Sequence, residues 1–344
     1  MKKVYLITGG FGHLGYNLVS MLLKTGDEIR VFENSETNLF AGTGVGLVSG
    51  DIRRKEDIER LFEGVSECEV SVIHCAGIVS IASKYDQTVY DVNVTGTKNM
   101  VDASLAHGVS RFIYVSSVHA ITEKKRGELI SEIPVYEPDK VFGLYAKTKA
   151  EASNYVLKAS RRGLNASIVN PSGMIGPGDR KIGHTTRLIV DYLRKRLISG
   201  VRGGYDFVDV RDVCDGIMRC LENGNSGESY ILSGHYISVK ELLDTLHNLT
   251  GQKKIRSYLP MWFIEPLAPL AEAYYKIMRT KPLFTRYSLY TLRSNGAFSH
   301  EKASRELGYL PRGFTETLRD TVLWLEKEGL VPMKYRAKAV LSGQ

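Results

Sequence analysis

The chain has 344 residues, 43% apolar and 24% charged, with a net charge of +8 and four cysteines. That composition suits a folded protein with a sizeable core and excludes a low-complexity or disulfide-stapled chain. Cys68, Cys75, Cys214 and Cys220 form no C-x-x-C pair and no metal-ligand spacing with histidine, so reduced thiols, a cytoplasmic setting and no metal are expected.

No apolar run is long enough to span a bilayer, so stable membrane insertion is not expected. The first apolar run stops at Gly9-Gly10, too short for the apolar region of a signal peptide. Basic clusters lie at Lys124-Lys125-Arg126 and Arg194-Lys195-Arg196. Neither belongs to a nucleic-acid module or interleaves aromatics, so no nucleic-acid partner is expected. The positive field suits acidic metabolites or cofactor phosphates.

Val4 to Thr8 reads as a buried strand, followed by Gly9-Gly10-Phe11-Gly12-His13-Leu14-Gly15. Tyr16 to Thr25 reads as a helix with Leu18, Met21 and Leu22 on one face and Gly26 as its stop. Glu28 to Glu33 is the second strand. Strand, glycine turn, helix and strand make a dinucleotide site. The glycines let the backbone approach the pyrophosphate at the helix N-terminus. Glu33, 18 residues after Gly15, stands where an acid accepts from the adenosine ribose hydroxyls. A carboxylate there repels the 2′-phosphate of NADP, and Asn34, Ser35 and Glu36 add no base, so NAD is the expected cofactor.

The alternation continues with a strand at Gly44–Ile52, a helix at Lys55–Gly64 and a strand at Val70–Cys75. A long helix follows at Tyr85–His107, then a strand at Arg111–Ser117. The helix after Tyr145-Ala146-Lys147-Thr148-Lys149 runs to about Arg162, and Leu164–Val169 is a further strand. Such alternation predicts an α/β, Rossmann-type, doubly wound parallel sheet, with ligands at the carboxyl ends of its strands.

After Pro171 the pattern breaks. Ser172 to Asp179 is a turn-rich loop, His184–Leu197 a helix, and Phe207–Val210 a strand leading into a helix at Arg211–Glu222. A strand at Ser229–Ser233 follows, and helices at Val239–Leu249 and Thr315–Lys327 belong to a smaller mixed α/β substrate domain. The expected division is 1–170 with 207–234 for the cofactor domain, 171–206 with 235–330 for the substrate domain, and a basic tail at 331–344. The stretch 259–294 is apolar, aromatic and broken by prolines, with Trp262, Phe263, Tyr274, Tyr275, Pro282, Phe284, Tyr287 and Tyr290. It reads as core plus a lid.

Tyr145 and Lys149 lie one helical turn apart on one face. A tyrosine with a pKa near ~10 is a poor acid or base at neutral pH, and a nearby ammonium favours its phenolate. The pair is therefore a candidate general acid/base.

Together these pieces resemble the extended short-chain dehydrogenase/reductase family, within the NAD-dependent epimerase/dehydratase superfamily. The resemblance covers Lys3 to about Gly329. It rests on Thr8 to Gly15, Asp51-Ile52, His74-Cys75-Ala76-Gly77, Asn93 to Thr97, Ser116-Ser117, Tyr145-x-x-x-Lys149, Asn170 to Gly173 and Phe207 to Asp212. The second half is similar in style to the dihydroflavonol reductase and 3β-hydroxysteroid dehydrogenase branch. The resemblance implies Ser117, Tyr145 and Lys149 as catalytic residues, with Lys149 holding the nicotinamide ribose and depressing the Tyr145 pKa. It implies cofactor contacts from Gly9, Phe11, Gly12, His13, Leu14, Gly15, Glu33, Asp51, Ile52, Cys75, Ala76, Gly77, Asn93, Tyr145, Lys149, Pro171 and Ser172. The resemblance also implies a part for Asn93 in a proton relay and pairing of two copies through helices near 85–107 and 145–162.

The implied activity is NAD-dependent interconversion of a secondary alcohol and a ketone on a small lipophilic substrate, steroid- or flavonol-like. The alternative is a nucleotide-sugar epimerase or dehydratase that uses bound NAD transiently. Such epimerases often carry an arginine at the position of Tyr205, where it grips the diphosphate. Arg180, Arg187, Arg202 and Arg211 are the candidates to replace it. A non-catalytic NAD-binding sensor ranks last, because the acid/base pair is present. Cys75 is expected to line the cofactor pocket, and His119 is placed either facing substrate or on a surface loop.

Overall fold

The computed structural model describes residues 2–80, 85–267 and 286–333. Seven parallel strands form the main sheet: β1 Lys3–Thr8, β2 Glu28–Glu33, β3 Gly46–Ser49, β4 Glu69–His74, β5 Arg111–Val115, β6 Ala166–Pro171 and β10 Ser229–Leu232. Their order is β10-β6-β5-β4-β1-β2-β3, parallel at every pairing. The order reverses between β1 and β4, and that switch point opens a crevice beyond the strand ends.

Side chains alternate along each strand and divide the core in two. Leu6, Val72, Phe112, Tyr114 and Ile168 face one layer, and Ile7, Ile73, Ile113, Val115 and Val169 the other. α1 (His13–Leu22) covers the second layer with Leu14, Leu18, Val19 and Leu22, the stripe of an amphipathic helix. Each fully buried side chain of this kind contributes roughly 1.5–3 kcal/mol. α5 (Leu144–Ser160) covers the first layer through Ala146, Ala150, Val156 and Leu157.

The long helix expected over Tyr85–His107 is interrupted. α3 (Gln87–Tyr90) passes into a π-helical segment, Asp91–Gly96, before α4 (Thr97–Ala106). At its end Gly96 packs on Ile52, where a Cβ would sit 2.6 Å from Ile52 Cγ2. α2 covers only Lys55–Glu59 of the expected Lys55–Gly64 helix.

The turn-rich stretch after Pro171 contains a strand, β7 (Gly173–Ile175). It joins β9 (Gly204–Asp209) and β11 (His235–Ser238) in a second sheet of order β11-β9-β7. The strand expected at Phe207–Val210 thus lies in this sheet, while α7 (Val210–Asn223) returns to pack on α1. The crossing falls at Asp209, whose side chain caps α7 by accepting from the Arg211 amide at 2.8 Å. α6 (His184–Leu193) and α8 (Val239–Thr250) follow expectation closely, α6 ending early. β8 (Gly200–Val201) and β12 (Tyr258–Leu259) pair as a short ribbon, and α9 is Met261–Ile264. Three later helices run Arg286–Arg293, Glu301–Leu307 and Phe314–Lys327. Tyr274, Tyr275, Pro282, Phe284 and most of the basic tail lie outside the described residues. Among the described residues no helix is long and apolar enough to cross a membrane, and no group of three or more histidine, cysteine or acidic side chains could hold a metal.

Candidate active site

α5 begins directly after Gly143, whose φ of +89° suits a residue without a Cβ. Tyr145 and Lys149 on its first turns are both buried against the end of β5. Lys149 Nζ donates to the Val115 carbonyl at 2.7 Å and lies 4.8 Å from the Tyr114 ring centroid. Ser117, just past β5, caps a short turn by accepting from the His119 amide at 3.2 Å, and its hydroxyl lies near enough to the Tyr145 phenol to favour the phenolate. Ser116 points elsewhere: its Oγ is 2.7 Å from Ser153 Oγ in the core.

Burial pushes the Tyr145 phenol up to about 12, with the Ser117 hydrogen bond pulling the other way. The expected depression by Lys149 is therefore not found. The reason is desolvation of the phenolate, with the lysine amine turned to the Val115 carbonyl. Burial brings Lys149 itself down to about 8. It also pushes the Cys75 thiol up to about 12, so Cys75 is not a thiolate.

The glycine turn and the 75–77 segment flank the switch point. Gly9 has φ +72°, and a Cβ on it would lie 2.7 Å from the Ala76 nitrogen. A Cβ on Gly15 would lie 2.2 Å from the Gly9 carbonyl oxygen. Gly12 caps α1 with no side chain, and the first turn carries no acid. The Gly12 amide donates to the Gly9 carbonyl at 3.1 Å, and the amides of His13 and Leu14 lie where a helix start has no partner of its own. That cradle fits a pyrophosphate. Glu33, at the end of β2, accepts from the Phe11 amide at 2.7 Å, beside the same turn.

Asp51 turns its carboxylate to Arg53, which holds it below the usual carboxylate range. Ile52 is buried against Gly96, and Asn99 Nδ2 donates to the carbonyls of Ile52 and Arg53 at 3.3 and 2.9 Å. Asn93, in the π segment, accepts from the Ile78 amide at 2.8 Å. Its Nδ2 donates to the Ile78 carbonyl and Thr148 Oγ1, each at 3.1 Å. Gly77 packs between Asn93 and Lys149, each within 3.4 Å of where its Cβ would be. Pro171 ends β6, and the Ser172 amide donates to the Leu232 carbonyl at 3.3 Å. His13 Nε2 is 3.1 Å from the Pro177 carbonyl, tying the loop after β7 to the start of α1.

Thr8, His74 and Thr97, which stand in the motif segments but receive no role from the sequence, are buried linkers. Thr8 Oγ1 is 2.6 Å from His74 Nδ1, and His74 Nε2 is 3.0 Å from Thr97 Oγ1. Thr97 donates on to the Asn93 carbonyl at 2.7 Å. Burial holds the His74 imidazole down at about 3, hence neutral. The signal available in sequence was a polar residue at each strand end: Thr8 and His74 close β1 and β4.

The opposite wall is aromatic. His119 belongs to the site, with ring centroids 5.4 Å from Tyr205, 5.7 Å from Tyr287 and 6.2 Å from Tyr145. Phe142 packs on Tyr287 and Tyr290 at 6.2 and 4.2 Å. The cavity here is lined by Val118, His119, Val141, Phe142, Tyr205 and Phe298, with Glu123, Lys140 and Asn295 at its polar end. The arginines named as diphosphate candidates do not line it. Arg211 is held by Asp209 and Asp320 at 2.7 and 2.8 Å, Arg187 pairs with Asp191 at 3.2 Å, and Arg180 lies over Tyr16. Arg202 is exposed, its amide on the Leu259 carbonyl. Trp262 and Phe263 face outward, 75% and 47% exposed, so they are not core.

The sequence model described as the NAD dependent epimerase/dehydratase family matches residues 5–233. The chain is similar to "Sterol demethylase protein B" of Methylococcus capsulatus, 31% identical over 334 residues, covering 95% of this chain and 99% of that protein. It is 29% identical over 336 residues to "3beta-hydroxysteroid-dehydrogenase/decarboxylase isoform 1" of Arabidopsis thaliana, covering 89% and 75%. Among solved structures it resembles the crystal structure of gox2253, with a TM-score of 0.81 and 30% identity over 95% of this chain and 99% of that one.

Proposed function

Because the chain belongs to the NAD-dependent epimerase/dehydratase family, we propose that it is an NAD-dependent oxidoreductase interconverting a secondary alcohol and a ketone on a lipophilic, ring-bearing substrate. The observation that carries this reading is the aromatic lining of His119, Tyr205 and Phe142, with the His119 ring 6.2 Å from that of Tyr145. Apolar walls with a few convergent polar groups suit a steroid-like ring system better than a charged sugar diphosphate. The relatives named for sterol and hydroxysteroid chemistry support the same choice.

In this reading Ser117 hydrogen-bonds the substrate oxygen and orients it. Tyr145 gives or takes the hydroxyl proton, a general acid/base contribution of about 10²–10⁴-fold. The Tyr145 phenol, held near 12 by burial, is protonated at neutral pH and is ready to donate to a ketone. Lys149 supplies a buried positive charge one turn away and, with Asn93, Gly77 and the Gly9–Gly15 turn, holds the cofactor. NAD supplies the hydride acceptor, and its reduced form the donor. Homodimerisation through the outer faces of residues 87–106 and 144–160 belongs to the same proposal and is read by light scattering.

The second reading, a nucleotide-sugar epimerase or dehydratase, draws on the family's breadth. One experiment separates the two. Purified protein receives NAD with hydroxysteroids and simple secondary alcohols, and NADH with the matching ketones, followed by NADH absorbance. UDP- and dTDP-sugars run alongside with chromatography of the products. A net NADH change with a lipophilic alcohol or ketone supports the oxidoreductase. A converted sugar nucleotide without net NADH change overturns it.

A further inference from the structure

His74 ends β4 fully buried, with a hydroxyl on each side of its ring. Thr8 Oγ1 lies 2.6 Å from Nδ1 and Thr97 Oγ1 3.0 Å from Nε2. Which nitrogen carries the hydrogen follows from what the two hydroxyls do next. Thr97 donates to the Asn93 carbonyl at 2.7 Å, and a carbonyl only accepts. A hydroxyl has one hydrogen, so toward His74 Thr97 accepts, and Nε2 is the N–H. Burial keeps the imidazole neutral, so Nδ1 is bare and accepts from Thr8. With its hydrogen given to Nδ1, the Thr8 oxygen accepts from the Ala76 amide at 3.1 Å. Four hydrogens thus point one way, from the Ala76 amide through Thr8, His74 and Thr97 to the Asn93 carbonyl. Each has an acceptor, the condition on which a buried polar chain is stable.

The chain closes into a ring. The Asn93 side chain accepts from the Ile78 amide at 2.8 Å and donates to the Ile78 carbonyl at 3.1 Å. The segment Ala76–Ile78 is therefore held at both ends, and His74 joins the two holds. That segment faces the cofactor turn and the acid/base helix. A Cβ on Gly9 would lie 2.7 Å from the Ala76 nitrogen, and one on Gly77 would lie 3.4 Å from Lys149 Nζ. Thr148, which accepts from Asn93 Nδ2 at 3.1 Å, donates to the Tyr145 carbonyl at 2.8 Å. The sheet itself does not call for the histidine, because β4 is paired in register with β1 and with β5 through its backbone.

We propose that His74 is a positioning residue for the cofactor site. As the Nε2–H tautomer it links the Ala76 amide to the Asn93 carbonyl, and so sets the Ala76–Gly77 wall against which NAD lies. This rests on NAD occupying the crevice of the Gly9–Gly15 turn.

Two measurements test it. Nitrogen NMR of protein labelled in its histidine rings reads the tautomer, with His74→Gln identifying the signal, or Thr97→Val where that variant does not fold. A neutral Nε2–H ring at neutral pH is expected, and an Nδ1–H ring or an imidazolium overturns the link. NAD affinity, followed by NADH fluorescence, reads the positioning. Thr97→Val keeps the shape and removes the hydroxyl, and is expected to weaken NAD by about tenfold, the worth of one good hydrogen bond. Thr97→Ser restores the hydroxyl and stays within about twofold of the wild type. Thr8→Val repeats the test from the other side of the ring. Valine variants that melt lower yet bind NAD like the wild type overturn the positioning role and leave the NAD site standing, as does a serine variant that binds no better than the valine one. A wild type that binds no NAD overturns the cofactor placement and the positioning role with it.

Discussion

His119 stacks on Tyr205, with ring centroids 5.4 Å apart and planes 10° apart, and its Nε2 sits 3.0 Å from the Tyr205 hydroxyl. The two residues come from the 3-10 turn Val118–Ala120 that follows β5 and from β9 of the second sheet. Their pairing closes the junction between the sheets with a neutral aromatic wall, since burial holds the His119 imidazole down at about 4.

This wall carries a pH dependence. In the unfolded chain a histidine takes its proton near ~6.5, whereas His119 takes it near about 4 and His74 near about 3 in the fold. Above pH ~6.5 neither state binds the proton and there is no effect. Between that value and the folded pKa the unfolded chain binds more protons, so stability falls as pH falls. Melting temperature is expected to decline below pH ~6.5, and less steeply in His119→Phe. Superimposable profiles for the two proteins would contradict the assignment.

Replacing Tyr145 by phenylalanine keeps the ring but removes the proton. Turnover on whichever alcohol or ketone is active should drop by about 10²–10⁴-fold, while NAD affinity, followed by NADH fluorescence, stays within about twofold. Near-normal turnover in this variant would exclude Tyr145 as the acid/base.

Glu33 combines a structural and a recognition role through its 2.7 Å bond from the Phe11 amide. The wild type is expected to bind NAD at least about tenfold more tightly than NADP, since a carboxylate repels the 2′-phosphate. Glu33→Ala should weaken NAD and narrow the gap, as measured by calorimetric titration of both cofactors. Tighter binding of NADP by the wild type would refute the preference.

Asn93 holds the π segment to Ile78, in the loop after β4, and to Thr148 of α5 through three bonds. Asn93→Leu leaves the Ile78 amide and carbonyl without those partners, at a cost of about 1–3 kcal/mol for each buried group left unpaired. A clear fall in denaturation midpoint by urea titration is expected, with weakened NAD binding. An unchanged midpoint would show that water or a local shift replaces the amide.

Much of the chain was legible from local signals alone. The βα alternation, the turn from Gly9 to Gly15, Glu33 closing β2, and the spacing of Tyr145 and Lys149 are properties of neighbouring residues. Short-range sterics and a period of two or 3.6 express them directly. The parallel sheet, the crevice at its switch point and the cofactor turn follow from these.

What needed the folded chain were contacts between residues far apart in sequence and elements too short to carry a period. β7, with three residues, and β8 and β12, with two each, have no alternation to read, so the second sheet and the β8–β12 ribbon emerged only in the folded chain. The close approach of Gly96 to Ile52 joins residues far apart in sequence. The direction of the Tyr145 pKa depends on burial, which composition does not disclose. His119, Tyr205 and Tyr287 are ordinary residues in their own neighbourhoods. They become one wall because β5, β9 and the helix at Arg286–Arg293 meet at one corner, where packing sets distances that no local spacing encodes.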